Sequence, residues 1–238
     1  MSARASREAS AVALITLGSA AVVGYLVAHG HTRELDHQFR RRLRRARKPA
    51  LSRAAKLATR MGEPPAQISF AALTALALQK GPQSQRRAHD GHRARTLVSL
   101  SPLFASVLAV MAHRSVKLLY KRRRPPGALL RGTLEPSFPS GHSTVAAATF
   151  GTVAYVLAHD RIARPGTASA LLTVPLCVGL SRVYLDRHWV TDIAGGWLIG
   201  TGISASIAAA IAGTDGRSIP ARSRAPARRP NKPQDSST

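Results

Sequence analysis

Long blocks of apolar residues alternate along this chain with blocks in which arginine and lysine crowd together. The first apolar block, Ala11 to His29, is close to the roughly twenty residues with which an α-helix crosses hydrocarbon. Its length, and the lack of a small-x-small site after it, argue for a span rather than a cleaved signal peptide. Ala66 to Gln79 is uncharged but short, and reads as a helix buried within a bundle or one whose ends reach further. Thr96 to Ala112 opens a helix that the pattern carries on toward Arg123, until Pro125-Pro126-Gly127 stops it. Three more blocks follow: Ser143 to Ala158, Gly166 to Leu180 and Ile193 to Gly213. Together they predict six spans, at about residues 11–29, 66–79, 96–116, 143–158, 166–181 and 192–213. The last carries Gly195, Gly196, Gly200, Gly202 and Ser204, small residues that let helices approach closely. The expected fold is an all-α, six-transmembrane helix bundle over residues 11–213. A polar tail precedes it at 1–10, and an Arg-, Pro- and Ser-rich disordered tail follows at 214–238.

Between the first two blocks lies a strongly basic segment, His31 to Arg60. Leu35, Phe39 and Leu43, then Leu51, Ala55 and Leu57, recur at about helical spacing within it. That pattern predicts a helix lying in the membrane interface, interrupted near Pro49. A solvated basic loop is the alternative.

Charge alone points elsewhere. The chain of 238 residues has a formal net charge of +24. In a soluble protein this would suggest nucleic acid. Here the cations are confined to the segments between spans, which fits basic loops facing anionic headgroups and excludes a nucleic-acid partner. The mean hydropathy of −0.06 is low for a membrane protein because basic segments and alanine-rich spans pull it down. The one cysteine, Cys177, lies in an apolar block and reads as a small buried hydrophobe, with neither disulfide nor metal in prospect.

The span count has a chemical consequence. Lys117 to Pro125 ends the third span, Pro139-Ser140-Gly141-His142 begins the fourth, and Ser181 to Asp192 joins the fifth to the sixth. Parity therefore brings three polar clusters to one membrane face. Each has an ordinary reading by itself: a basic juxtamembrane collar, a helix N-cap with a bystander histidine, and an interfacial His–Asp pair. Together they describe an oxyanion site. His188 and Asp192 are four apart, so a helix starting near His188 would put both on one face, where the carboxylate selects the imidazole tautomer. Lys117 and Arg124 are seven apart, two helical turns, and would also share a face. Arg182 offers a planar fork to two phosphate oxygens. Ser140 and Gly141 open a helix whose first N–H groups suit an anion, with His142 at its edge as a proton donor.

These residues resemble the type 2 phosphatidic acid phosphatase (PAP2) superfamily. Its three-part signature, K-x6-R-P, P-S-G-H and S-R-x5-H-x3-D, is met by Lys117 with Arg124-Pro125, by Pro139-Ser140-Gly141-His142, and by Ser181-Arg182 with His188 and Asp192. The resemblance covers about residues 97–211 and implies a PAP2/haloperoxidase-like core. It also implies that His188 attacks phosphorus to form a phosphohistidine, that Asp192 orients His188, and that His142 protonates the departing oxygen. Lys117, Arg124 and Arg182 would bind the phosphoryl oxygens, with Ser140 and the Gly141 backbone assisting. No metal and no cofactor is implied, because cationic side chains stand where a carboxylate cluster would hold ions. The vanadium haloperoxidases share the constellation but are soluble, so the spans argue against that branch.

The resemblance extends to bacterial phosphatases of phosphatidylglycerophosphate and undecaprenyl diphosphate. It makes the expected substrate an isoprenoid or glycerolipid phosphate or diphosphate, and the expected surroundings a bilayer containing anionic lipid. A phosphotransferase using the same site, and a non-enzymatic basic membrane protein, are the alternatives. The family orientation puts the catalytic face outside the cytoplasm and both termini inside. Arg86, Arg87, Arg93, Arg95 and the tail agree with it under the positive-inside rule, whereas Arg40 to Arg60 would then lie outside.

Overall fold

The computed structural model describes residues 2–81, 92–129, 132 and 134–215. The described part is all helix and connection. Its helices are α1 (Ser2–Ala28), α2 (Arg33–Arg45), α3 (Pro49–Met61), α4 (Pro64–Lys80), α5 (His92–Leu119), α6 (Pro126–Leu129), α7 (Gly141–His159), α8 (Pro165–Ala170), α9 (Thr173–Tyr184) and α10 (Val190–Asp215). The expected tail over 214–238 lies almost wholly outside the described residues, as does most of the loop over 80–95.

Four stretches are long and apolar enough to cross a membrane: Ala3–Ala28, Thr96–Leu119, Pro165–Tyr184 and Val190–Thr214. The other two expected spans are α4 and α7, of 17 and 19 residues. The physical reason that α7 is less apolar is its place. It runs through the middle of the bundle with almost every side chain from Gly141 to Val156 buried, so it can carry Ser, Thr, Gly and Ala instead of lipid-facing leucine. It packs on α5 and α10, and α10 packs in turn on α1. Small residues permit this: a Cβ at Gly196 would come within 2.8 Å of the Ser140 carbonyl oxygen. Between α5 and α7, Ser106 Oγ and Thr149 Oγ1 share a buried hydrogen bond of 2.6 Å.

Several boundaries differ from the sequence pattern. Ser2–Ser10, expected as a tail, is helical and continues into α1. The fifth span is broken at Leu171-Leu172, between α8 and α9. Pro175 accounts for the break, because its nitrogen has no hydrogen for the carbonyl one turn back. The third ends at Leu119, not near Arg123, and Tyr120 to Pro125 runs on without helix. Arg124 and Pro125 each precede a proline and are thereby biased away from helical ψ. Cys177 is exposed on the outside of the bundle, not buried.

The basic segment forms α2 and α3, with the interruption at Ala46 to Lys48. Leu35, Phe39, Leu51 and Leu57 point outward and stay exposed, whereas Ala55 is buried. The segment is tied to the bundle by ion pairs. Arg40 Nε donates to Asp186 Oδ1 at 2.6 Å, and the buried Asp36 holds both Thr191 and Arg122.

Candidate active site

Where α4 and α7 begin and α5 and α9 end lies a cavity of about 750 Å3. Six of the eight expected site residues line it: Lys117, Arg124, Gly141, His142, Arg182 and His188. They come from five pieces of chain, so the cavity exists only when the bundle is assembled.

His188 sits in the turn before α10, and Asp192 in the first turn of that helix. The two do not share a helical face, as the spacing suggested; the pair closes across the helix start. Asp192 Oδ2 accepts from the Trp189 backbone N–H at 2.9 Å, a reach-back cap of the first turn. It also lies 3.3 Å from His188 Nδ1 and accepts from Ser137 Oγ. On the far side of the imidazole, Arg124 Nη1 is 3.0 Å from His188 Nε2. A guanidinium can only donate, so Nε2 is the acceptor and carries no hydrogen. The hydrogen is on Nδ1, pointing at Asp192. The lone pair of Nε2 thus points at Arg124, which lines the cavity with His188. Burial lowers the His188 pKa to about 4 despite the opposing pull of Asp192, which keeps the ring neutral at neutral pH.

The three cations approach from different sides. Arg124 is not on the α5 face with Lys117, since α5 has already ended. Its Nε donates to the Glu135 carbonyl oxygen at 2.9 Å and its Nη1 to that of Arg187 at 3.1 Å, which fixes the fork toward His188. Arg182 Nη1 donates to Thr59 Oγ1 at 2.8 Å, while its Nε is buried with no partner among the described residues. Lys117 Nζ donates to Glu135 Oε2 at 3.2 Å. That hydrogen bond, then the charge of Lys117, lowers the Glu135 pKa, so a carboxylate sits over the cations where a substrate anion would compete with it.

Ser140 and Asp192 are the two expected residues not on the cavity wall. Ser140 is fully buried; its hydroxyl caps α7 by accepting from the Ser143 backbone N–H at 3.5 Å and also accepts from Ser143 Oγ at 3.2 Å, and its own N–H donates to the Asp192 carbonyl at 3.0 Å. Its place is behind the wall, with Gly141 presenting backbone to the cavity. His142 is half-buried in the wall beside Gly62, at the α3–α4 turn.

Three contributors lay outside the sequence pattern. Asp36 looked like part of a solvated basic stretch; only its being an acid among arginines could have marked it. Arg122, read as diffuse positive potential, joins Asp36 to Asp192. His113 is one turn before Lys117 on α5 and lines the cavity, and neither ring nitrogen has a partner among the described residues. Helical periodicity could have placed it beside Lys117. Among the described residues no group of three or more His, Cys, Asp or Glu side chains is arranged to hold a metal ion.

Residues 97–213, which supply most of this wall, match the sequence profile of the PAP2 superfamily. Residues 97–213 belong to that superfamily. A curated PAP2 relative, phosphatidylglycerophosphatase B of Bacillus subtilis, is 34% identical over 94 residues, which cover 38% of this chain and 46% of that protein. The match thus spans less than half the length of this relative. The fold extends further. The crystal structure of a transmembrane PAP2-type phosphatidylglycerolphosphate phosphatase from Bacillus subtilis superposes with a TM-score of 0.69 at 20% identity, over 86% of this chain and 96% of that one. That superposition covers more of the chain than the PAP2 profile, which begins only at residue 97.

Proposed function

We propose that this protein is a membrane lipid phosphatase that hydrolyses the phosphate or diphosphate ester of a glycerolipid or isoprenoid. The observation that carries the reading is the His188 imidazole on the wall of a cationic cavity, held between the Asp192 carboxylate and the Arg124 guanidinium to which its Nε2 lone pair points. A phosphoryl group entering there meets Lys117, Arg124, Arg182 and the Gly141 backbone, all able to donate to its oxygens. As Arg124 turns its fork to the phosphoryl oxygens, the lone pair is released for attack.

In the first step His188 Nε2 bonds to phosphorus and the bond to the leaving oxygen breaks, with His142 supplying the proton that oxygen takes up. In the second, water attacks phosphorus, His142 takes a proton from it, and the P–N bond breaks to return His188 and release phosphate. Asp192 stabilises the charge that His188 carries between the steps. Cations supply the electrostatic stabilisation, so we read the site as metal-independent.

Val110 and the exposed Leu118 also line the cavity, on a face of α5 that belongs to a span. This supports a substrate whose tail stays in hydrocarbon while its headgroup enters the site. The relatives named above make phosphatidylglycerophosphate the first substrate to try. We further read α4 and α7 as the remaining two of six spans, with the cavity on the extracytoplasmic face and the C-terminus in the cytoplasm; a C-terminal topology reporter active outside the cytoplasm would overturn that placement.

The deciding measurement is phosphate release by purified protein in detergent, with water as the sole acceptor, across lipid phosphates and diphosphates. We expect release that survives chelator and is abolished in a folded His188→Ala variant. Wild-type release by that variant would remove the nucleophile and the mechanism with it.

A further inference from the structure

A second cavity, of about 530 Å3, opens on the same face of the bundle but shares no lining residue with the first. One wall is the C-terminal end of α1, at Val27 and Ala28; the opposite wall is the end of α5, at Leu119 and Tyr120. Both helices are membrane spans by length and composition, and both stop here. The Tyr120 hydroxyl packs against α1, lying where a Cβ on Gly24 would come within 2.6 Å.

Above these apolar walls the lining changes character. Arg33, Lys121, Arg122 and Arg123 face Asp36, the one carboxylate among the lining residues. Asp36 is already neutralised, since it pairs with Arg122 and accepts from Thr191. Arg33, Lys121 and Arg123 are exposed at the rim. The floor is Trp189, whose ring has the Arg122 guanidinium 5.8 Å from its centroid and the His37 ring edge-on at 5.0 Å. Apolar walls continuous with two spans, an aromatic floor and a cationic rim follow the order of chemistries met on leaving a bilayer through its headgroups.

We propose that this second cavity binds the headgroup of an anionic phospholipid that is not the substrate, with its acyl chains lying against the ends of α1 and α5. Arg33, Lys121 and Arg123 are the groups that hold its phosphate. A volume of 530 Å3 admits a glycerophosphate headgroup and leaves the chains outside. Arg122 is committed to Asp36 and Asp192 and anchors the floor. The inference rests on the membrane setting of the chain and not on its catalytic activity.

The test uses the purified full chain in a neutral maltoside detergent and reads the thermal denaturation midpoint. The additives are short-chain phosphatidylglycerol, phosphatidylcholine of the same chains, and inorganic phosphate. Phosphatidylglycerol should raise the midpoint saturably, with little effect from the other two. The triple variant R33Q/K121Q/R123Q should need at least ten-fold more phosphatidylglycerol for the same shift. R42Q/R45Q/R53Q, which removes as much charge from exposed positions on α2 and α3, should respond like wild type. Equal weakening in both triples would mean diffuse attraction to a basic surface and would overturn the proposal. So would a phosphate response matching that of phosphatidylglycerol, or no response at all. Should the first triple not fold, native mass spectrometry of R33Q decides: retention of phosphatidylglycerol equal to wild type rejects the site, and loss supports it.

Discussion

Arg122 Nη1 lies 2.6 Å from Asp192 Oδ1, on the side of that carboxylate turned away from His188. The same guanidinium pairs with Asp36 of α2. The basic segment of α2 and the imidazole of the candidate nucleophile are therefore connected by three consecutive ionic or hydrogen-bonded contacts.

Breaking that connection should be costly. Asp36 is buried, and removing one partner of a buried pair strands the other. Asp36→Ala is expected to destabilise the protein by about 3–5 kcal/mol. Thermal denaturation in detergent measures this, and a midpoint equal to wild type would show that α2 is dispensable to the bundle.

Asp192→Asn tests the tautomer argument. The amide can turn its NH2 toward His188 and so favour hydrogen on Nε2, which removes the attacking lone pair. Phosphate release is expected to fall about 10^3- to 10^4-fold with KM little changed, by analogy with other carboxylate–histidine pairs. A loss confined to KM would instead assign Asp192 to substrate binding.

Gly141 faces His113 so closely that a Cβ would come within 2.8 Å of the imidazole Cε1. Gly141→Ala should therefore lower both stability and activity. The double variant Gly141→Ala/His113→Ala should recover part of the stability, because the colliding ring is gone. Additive losses in the double variant would place the conflict elsewhere.

His188 also sets a pH dependence of stability. Its pKa is about 4 when folded and near the ordinary 6.5 when unfolded. Between these values the unfolded chain binds more protons, so stability falls as pH falls through the window and levels off below about 4 as far as this group is concerned. Denaturation midpoints from pH 7 to pH 4 should decline for wild type and decline less steeply for His188→Asn. Identical slopes would mean that another group carries the effect.

Much of this molecule could be read from its order of residues. Block hydropathy located the long helices, Pro49 marked the gap between α2 and α3, and Lys117, His142 and His188, expected on one face, line one cavity. The limits of that reading are local. Helical spacing linked Lys117 to Arg124, but paired prolines end the helical conformation before Arg124, which reaches the site from an extended segment. The same spacing linked His188 to Asp192, whereas the contact is made across a helix start.

What the linear chain determined is which chemistry is present, because a phosphate site needs particular side-chain types and their spacing survives in the motifs. What only the tertiary structure decided is which groups are held and which are free. Asp36 reaches Arg122 across 86 residues of chain, Ser140 turns its hydroxyl into a cap, and Arg182 leaves a buried Nε without a partner among the described residues. Such pairings depend on how helices far apart in sequence pack against one another, and side-chain periodicity within a single helix carries no information about its neighbours.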